Sequence, residues 1–200
     1  MRLSVKGPVG NIECAVDEPE GAPRGVAVIC HPHPLHGGTM DNKVVQTLAR
    51  AFLQLGYRAV RFNFRGVGAT EGVHDEARGE TDDALAVIAA VRVADLPLAV
   101  AGFSFGGYVA QQAFSRLADA GQAAERLVLV GPSSRNFALG RVPDDTIVIH
   151  GESDDVVPLS ATLDWARTQT LPVIVIPGVG HFFHGQLSLL KNLVVRSWHR

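Results

Sequence analysis

A chain of 200 residues, 46% apolar and 19% charged, is the size of one compact domain, in which roughly 70% of the unfolded chain's surface becomes buried. Its net charge of −2 and lack of any basic run give no general attraction for nucleic acid or an anionic membrane surface. No apolar run approaches the ~18 residues of a membrane span, the first residues lack a signal-peptide core, and Cys14 and Cys30 make neither a C-x-x-C nor a disulfide framework, so a reducing cytoplasm is the expected compartment.

"SVKG" and "IECAVDE" alternate like two strands of a hairpin joined through Gly7, Pro8 and Gly10. "GVAVICH" (25–31) is continuously apolar, as a strand covered on both faces must be. Apolar residues at 44, 45, 48, 52 and 55 predict a helix over 44–55, with Asp41 or Asn42 as its cap. A strand over 57–64, a helix over 81–93, a strand over 96–103 and a helix over 106–120 follow. Strands over 126–131 and 146–151, a helix over 160–168, a strand over 172–178 and a helix over 184–198 complete the chain. Buried strands alternating with amphipathic helices predict a single α/β domain over 1–200, a mostly parallel sheet of about seven or eight strands flanked on both faces. Ligands of such sheets bind beyond the carboxyl ends of the strands, so the residues that matter should follow those ends.

Three candidates do. "GFSFGG" (102–107) places Ser104 between a strand and a helix as G-x-S-x-G. Such a turn leaves no room for side chains two positions to either side, lifts the hydroxyl out of the sheet and aims the Phe105 N–H at a reacting carbonyl. A serine hydroxyl needs a base, and the base an orienting acid. "HGESDDVVP" offers Asp154, chosen over its neighbour Asp155, and "GVGHFFHG" offers His181, chosen over His184. His150, His74 and His199 are weaker bases: the first ends a strand, the second lies in a polar loop, the third at the terminus. The order Ser104, Asp154, His181 is that of an α/β-hydrolase triad.

On "CHPHPLHGGTMDNKVV", "FNFRGVGATEG", "GFSFGG", "HGESDDVVP" and "GHFFHG", which run from residue 30 to 185, the chain resembles the α/β-hydrolase family. More narrowly it is similar to small lidless bacterial serine hydrolases related to dienelactone hydrolases and carboxylesterases. The resemblance implies an α/β-hydrolase fold, no cofactor, and a second oxyanion N–H from the loop after the third strand, which here is "HPHPLHGG" (31–38). Pro32 and Pro34 stiffen that loop and remove two donors, leaving Leu35 or His33 to supply the N–H, with Leu35 preferred. The spacing H-x-H-x-x-H also invites a metal, but zinc sites of that pattern place an aspartate where Leu35 stands and need ligands from a second cluster. No metal is therefore expected.

The fourteen residues 132–145 are too few for the helical lid that many relatives insert there, so the site should be open. Phe103, Phe105, Phe182 and Phe183 flank the candidate residues, and at most half of them should reach a pocket; Phe103 and Phe182 are the substrate-binding candidates. Arg65, with Arg135 or Arg141, offers a positive charge for a substrate anion, although Arg65 has a competing role bracing its own loop through Glu80 or Asp82. The expected function is hydrolysis of small carboxylic esters, the expected partner a small ester and no macromolecule, as a monomer or homodimer. Thioester hydrolysis on the same residues and a non-catalytic hydrolase-fold scaffold are the alternatives.

Overall fold

The computed structural model describes residues 1–134 and 137–198. Eight strands make one sheet: β1 (Arg2–Lys6), β2 (Asn11–Asp17), β3 (Gly25–Cys30), β4 (Tyr57–Phe62), β5 (Leu98–Phe103), β6 (Arg126–Val130), β7 (Ile147–Gly151) and β8 (Ile174–Ile176), in the order β1-β2-β4-β3-β5-β6-β7-β8. Antiparallel pairing is confined to β1 with β2 and β2 with β4; β3 to β8 pair with one another in parallel. This is the α/β-hydrolase fold.

Among the described residues five α-helices cover the sheet: α1 (Lys43–Gln54), α2 (Arg78–Val91), α3 (Phe105–Asp119), α4 (Leu159–Arg167) and α5 (Leu187–Trp198). Strand β3 shows why both faces need cover, because all six of its residues are buried. Val26, Val28 and Cys30 join the core under α2 and α3, whereas Ala27 and Ile29 join the core under α1 and α5. A period of two thus feeds two separate cores.

Several boundaries differ from the sequence expectation, each for a local reason. Strand β4 stops at Phe62 because the Phe64 N–H donates to His31 Nε2 (2.9 Å) instead of a neighbouring strand. Helix α2 begins at Arg78, three residues before the expected start, because the Glu80 carboxylate accepts the N–H groups of Asp75 and Ala77. Strand β8 has three residues rather than seven, bracketed by Pro172 and Pro177, neither of which can donate to a ladder. Helix α5 starts at Leu187 after a turn in which Gln186 N–H donates to the Phe183 carbonyl. Asn42, one of the two expected caps, does cap α1: its Oδ1 accepts the Val44 N–H at 2.9 Å.

Candidate active site

Ser104 lies between β5 and α3 with φ 56° and ψ −121°, a left-sided backbone that side-chain-bearing residues avoid. The strain is locked in by contact. A Cβ on Gly102 would stand 2.0 Å from the Gly106 carbonyl oxygen, and one on Gly106 would stand 2.3 Å from the Cys30 oxygen and 2.4 Å from that of His31. The two glycines therefore let the turn close on itself and let the end of β3 press against the start of α3. The Ser104 N–H is held by the Val130 carbonyl of β6 at 3.0 Å.

Ser104, His181 and Asp154 come together from three strand ends. His181 Nε2 is 3.0 Å from Ser104 Oγ, and His181 Nδ1 is 2.7 Å from Asp154 Oδ2. A carboxylate only accepts, so Nδ1 carries the ring proton and Nε2 faces the serine hydroxyl as an acceptor. All three are buried, with 7% of Ser104, 7% of Asp154 and 2% of His181 exposed. The approach of the β8 loop depends on Gly151, where a Cβ would stand 2.3 Å from the Val179 carbonyl oxygen.

Asp154 is held on every side. Its Oδ1 accepts the Val156 and Val157 N–H groups at 3.0 and 2.7 Å, and its Oδ2 faces His181 and, at 3.4 Å, His150 Nε2. Burial alone would raise its pKa; the hydrogen bonds from His150, His181 and Val157 outweigh it and hold the carboxyl well below the usual range. Asp155, the rejected neighbour, is exposed.

The loop after β3 folds into a 3₁₀ turn, Pro34–His36. His31 has both ring nitrogens committed to backbone: Nδ1 donates to the Pro32 carbonyl at 2.6 Å and Nε2 accepts from Phe64 N–H. Burial pushes its pKa down to about 4. His33 packs its ring against His36, His74 and Phe105 at centroid distances of 4.5, 4.9 and 4.8 Å. His74 in turn donates from Nδ1 to the fully buried Glu80 at 2.7 Å. Of the two candidate donors in the loop, the Leu35 N–H is engaged with His33 Nδ1 (3.3 Å) and Leu35 is 69% exposed. The His33 N–H makes no hydrogen bond among the described residues, and neither does that of Phe105.

Two of the expected substrate contacts are buried instead. Arg65 is 7% exposed and forks onto Asp83 through Nε (2.8 Å) and Nη2 (2.7 Å). It braces its loop, but through Asp83; Glu80 holds His74, and Asp82 pairs with Arg116 on the surface. Phe103 is fully buried, its ring 4.8 Å from that of His181, where it backs the imidazole rather than lining a pocket. Phe105 and Phe183 are buried too, which leaves Phe182, 45% exposed. Phe182 borders a groove of about 660 Å³ beside His181, shared with Val156, Gly180 and His184. Arg141 is exposed, and Arg135 and His199 lie outside the described residues. Among the residues of 132–145 that are described there is no helix, so nothing of that segment forms a lid. The sequence weighed His150 only as a weaker base and Glu80 only as a partner for Arg65; their contacts with Asp154 and His74 were missed, although a histidine in a strand with no exposed face must find a partner there.

Comparison with known proteins gives the family and the fold. A family model described as serine aminopeptidase, S33, matches residues 21–139. XC6422 from Xanthomonas campestris, a serine hydrolase without a lid, is 36% identical, with a TM-score of 0.92 over 100% of this chain and 94% of that one. An α/β serine hydrolase homologue from Coxiella burnetii is 38% identical, with a TM-score of 0.90 over 98% of this chain and 96% of that one. The uncharacterized protein RP471 of Rickettsia prowazekii is 28% identical over 91% of this chain and 82% of its own length. A serine turned out of a strand end, an imidazole facing it, and relatives that match nearly from end to end make this chain a member of the serine aminopeptidase S33 family of α/β serine hydrolases.

Proposed function

We propose that the protein hydrolyses small carboxylic esters through an acyl-enzyme on Ser104. The supporting observation is the unbroken line of hydrogen bonds from Ser104 Oγ through His181 to Asp154, at 3.0 and 2.7 Å. His181 Nε2 takes the hydroxyl proton as Oγ attacks the carbonyl carbon, and returns it to the departing alkoxide. Asp154 keeps the other ring proton in place and stabilises the imidazolium. Water, deprotonated by His181, then attacks the acyl-enzyme and regenerates the serine.

In this reading the oxyanion of each tetrahedral state is received by the N–H groups of Phe105 and His33, neither of which makes a hydrogen bond among the described residues. Each such donor contributes about 3 kcal/mol to lowering the barrier. Phe182 and Val156 offer apolar contact to one end of the ester along the groove beside His181. The absence of a helix over the described part of 132–145 suits small, water-borne esters. We place the reaction in the cytoplasm, where two free buried thiols are chemically at home.

Replacing Ser104 with alanine is expected to abolish p-nitrophenyl acetate turnover and labelling by a fluorophosphonate probe while leaving the thermal transition in place. Turnover that survives the substitution refutes the mechanism. A wild-type chain that turns nothing over and takes no label points to a scaffold.

A further inference from the structure

The carboxylate facing His181 has a second imidazole on it. His150, the fourth residue of β7, is fully buried, and its Nε2 lies 2.9 Å from the Val157 carbonyl oxygen and 3.4 Å from Asp154 Oδ2. Both neighbours of Nε2 only accept, so that nitrogen must carry the proton and share it between them. Its other nitrogen, Nδ1, is buried with no hydrogen-bond partner among the described residues. A buried imidazole with one empty nitrogen is costly to keep for packing alone, since an apolar ring of that size would leave nothing unsatisfied. The titratable groups in contact with Asp154 among the described residues are His150 and His181.

We propose that His150 is a positioning residue for the hydrolytic site: its Nε2–H fixes the turn 154–157 through the Val157 carbonyl and draws electron density from Asp154 Oδ2. The inference rests on the serine-hydrolase reading for its consequence in rate, but not for the contact itself. The two acceptors belong to one turn. Val157 both donates its N–H to Asp154 Oδ1 and presents its carbonyl to His150, so one imidazole holds the carboxylate and the loop that carries it. With His150 donating, Oδ2 is a weaker acceptor for His181, and the imidazolium formed during turnover is less strongly retained. Removing the donor leaves Oδ2 wholly to His181, which moves the acid limb of kcat/KM to higher pH.

The test begins with ¹⁵N spectra of the unmodified protein, which read the His150 tautomer without any variant or substrate. A protonated Nε2 and a bare Nδ1 are expected, and the opposite tautomer overturns the proposal. His150→Leu and His150→Gln are then compared, glutamine carrying an amide N–H close to where Nε2 stood. In the leucine variant the NMR titration of His181 should move up by about half a pH unit, while kcat should fall about tenfold because the turn 154–157 loses the bond that positions Asp154, a loss that outweighs the firmer hold on the imidazolium. Glutamine should restore most of both. A His181 titration unmoved by leucine, or glutamine no better than leucine, means that His150 only fills space. If leucine prevents folding, the tautomer and the glutamine titration still decide. A wild type without esterase activity counts against the proposed function, whereas the tautomer and the His181 titration are read independently of it.

Discussion

His31 shows how much a single side chain near this site can carry. Its two nitrogens join the loop after β3 to the chain leaving β4, and both bonds require a neutral ring with the proton on Nδ1. Its pKa is lowered from 6.5 to about 4 by burial. The unfolded chain therefore binds a proton between those values that the folded one refuses, and stability falls as pH drops through that window. The contribution amounts to about 3 kcal/mol between pH 7 and pH 4. Urea denaturation should show His31→Gln less stable than wild type at pH 7, with the gap closing by about that amount at pH 4; a constant gap contradicts the assignment. Of the residues around the serine, the placement of three was legible in the sequence: Ser104, Asp154 and His181 stand at the strand ends where they were sought, within hydrogen-bond reach of one another. Their supports were not. Glu80, His74 and His33 meet only because two loops fold over one helix start, and the sequence separation of His33 from His74 carries no trace of that.

Helix α2 illustrates why the partner of Arg65 was misjudged. Counted from Arg78, its buried face runs through Glu80, Asp83, Ala84, Val87 and Ile88, a regular helical stripe in which two positions are carboxylates. A reading that follows apolar residues alone does not count carboxylates as part of the buried stripe, so the expectation named Glu80 or Asp82 where Asp83 holds Arg65. The paired guanidinium is what lets a carboxylate occupy a core position. The alternating strands were easier, because β3, β5 and β7 are wholly buried and their apolar runs say so directly. The approach of β3 to α3 yields its own test. Alanine is the better helix former, by about 1 kcal/mol over glycine, yet at position 106 its methyl would sit 2.3 Å from a carbonyl oxygen of β3. Gly106→Ala should lower the thermal transition and reduce kcat about a hundredfold by parting the Phe105 and His33 donors, with KM changed little. A variant as fast and as stable as wild type would mean that this contact is not what sets the geometry.

Across the molecule, the strand order brings the ends of β5, β7 and β8 to one side of the sheet, with β3 and β4 delivering the loop that faces them. No described helix bridges β6 and β7 over that surface. Activity should therefore rise hyperbolically with p-nitrophenyl butyrate and show no jump as the ester passes its solubility limit; a jump would reveal a cover that moves. The sheet also explains how Ser104 keeps an unfavourable backbone. Such a conformation costs about 1–3 kcal/mol and survives only where its surroundings leave no alternative. Strand β5 is clamped between β3 and β6 along its length, with α3 leaving directly from its end. The bent peptide is thus a spring wound by the middle of the sheet. Substitutions that loosen those central ladders should blunt the reaction first, while the chain as a whole still folds.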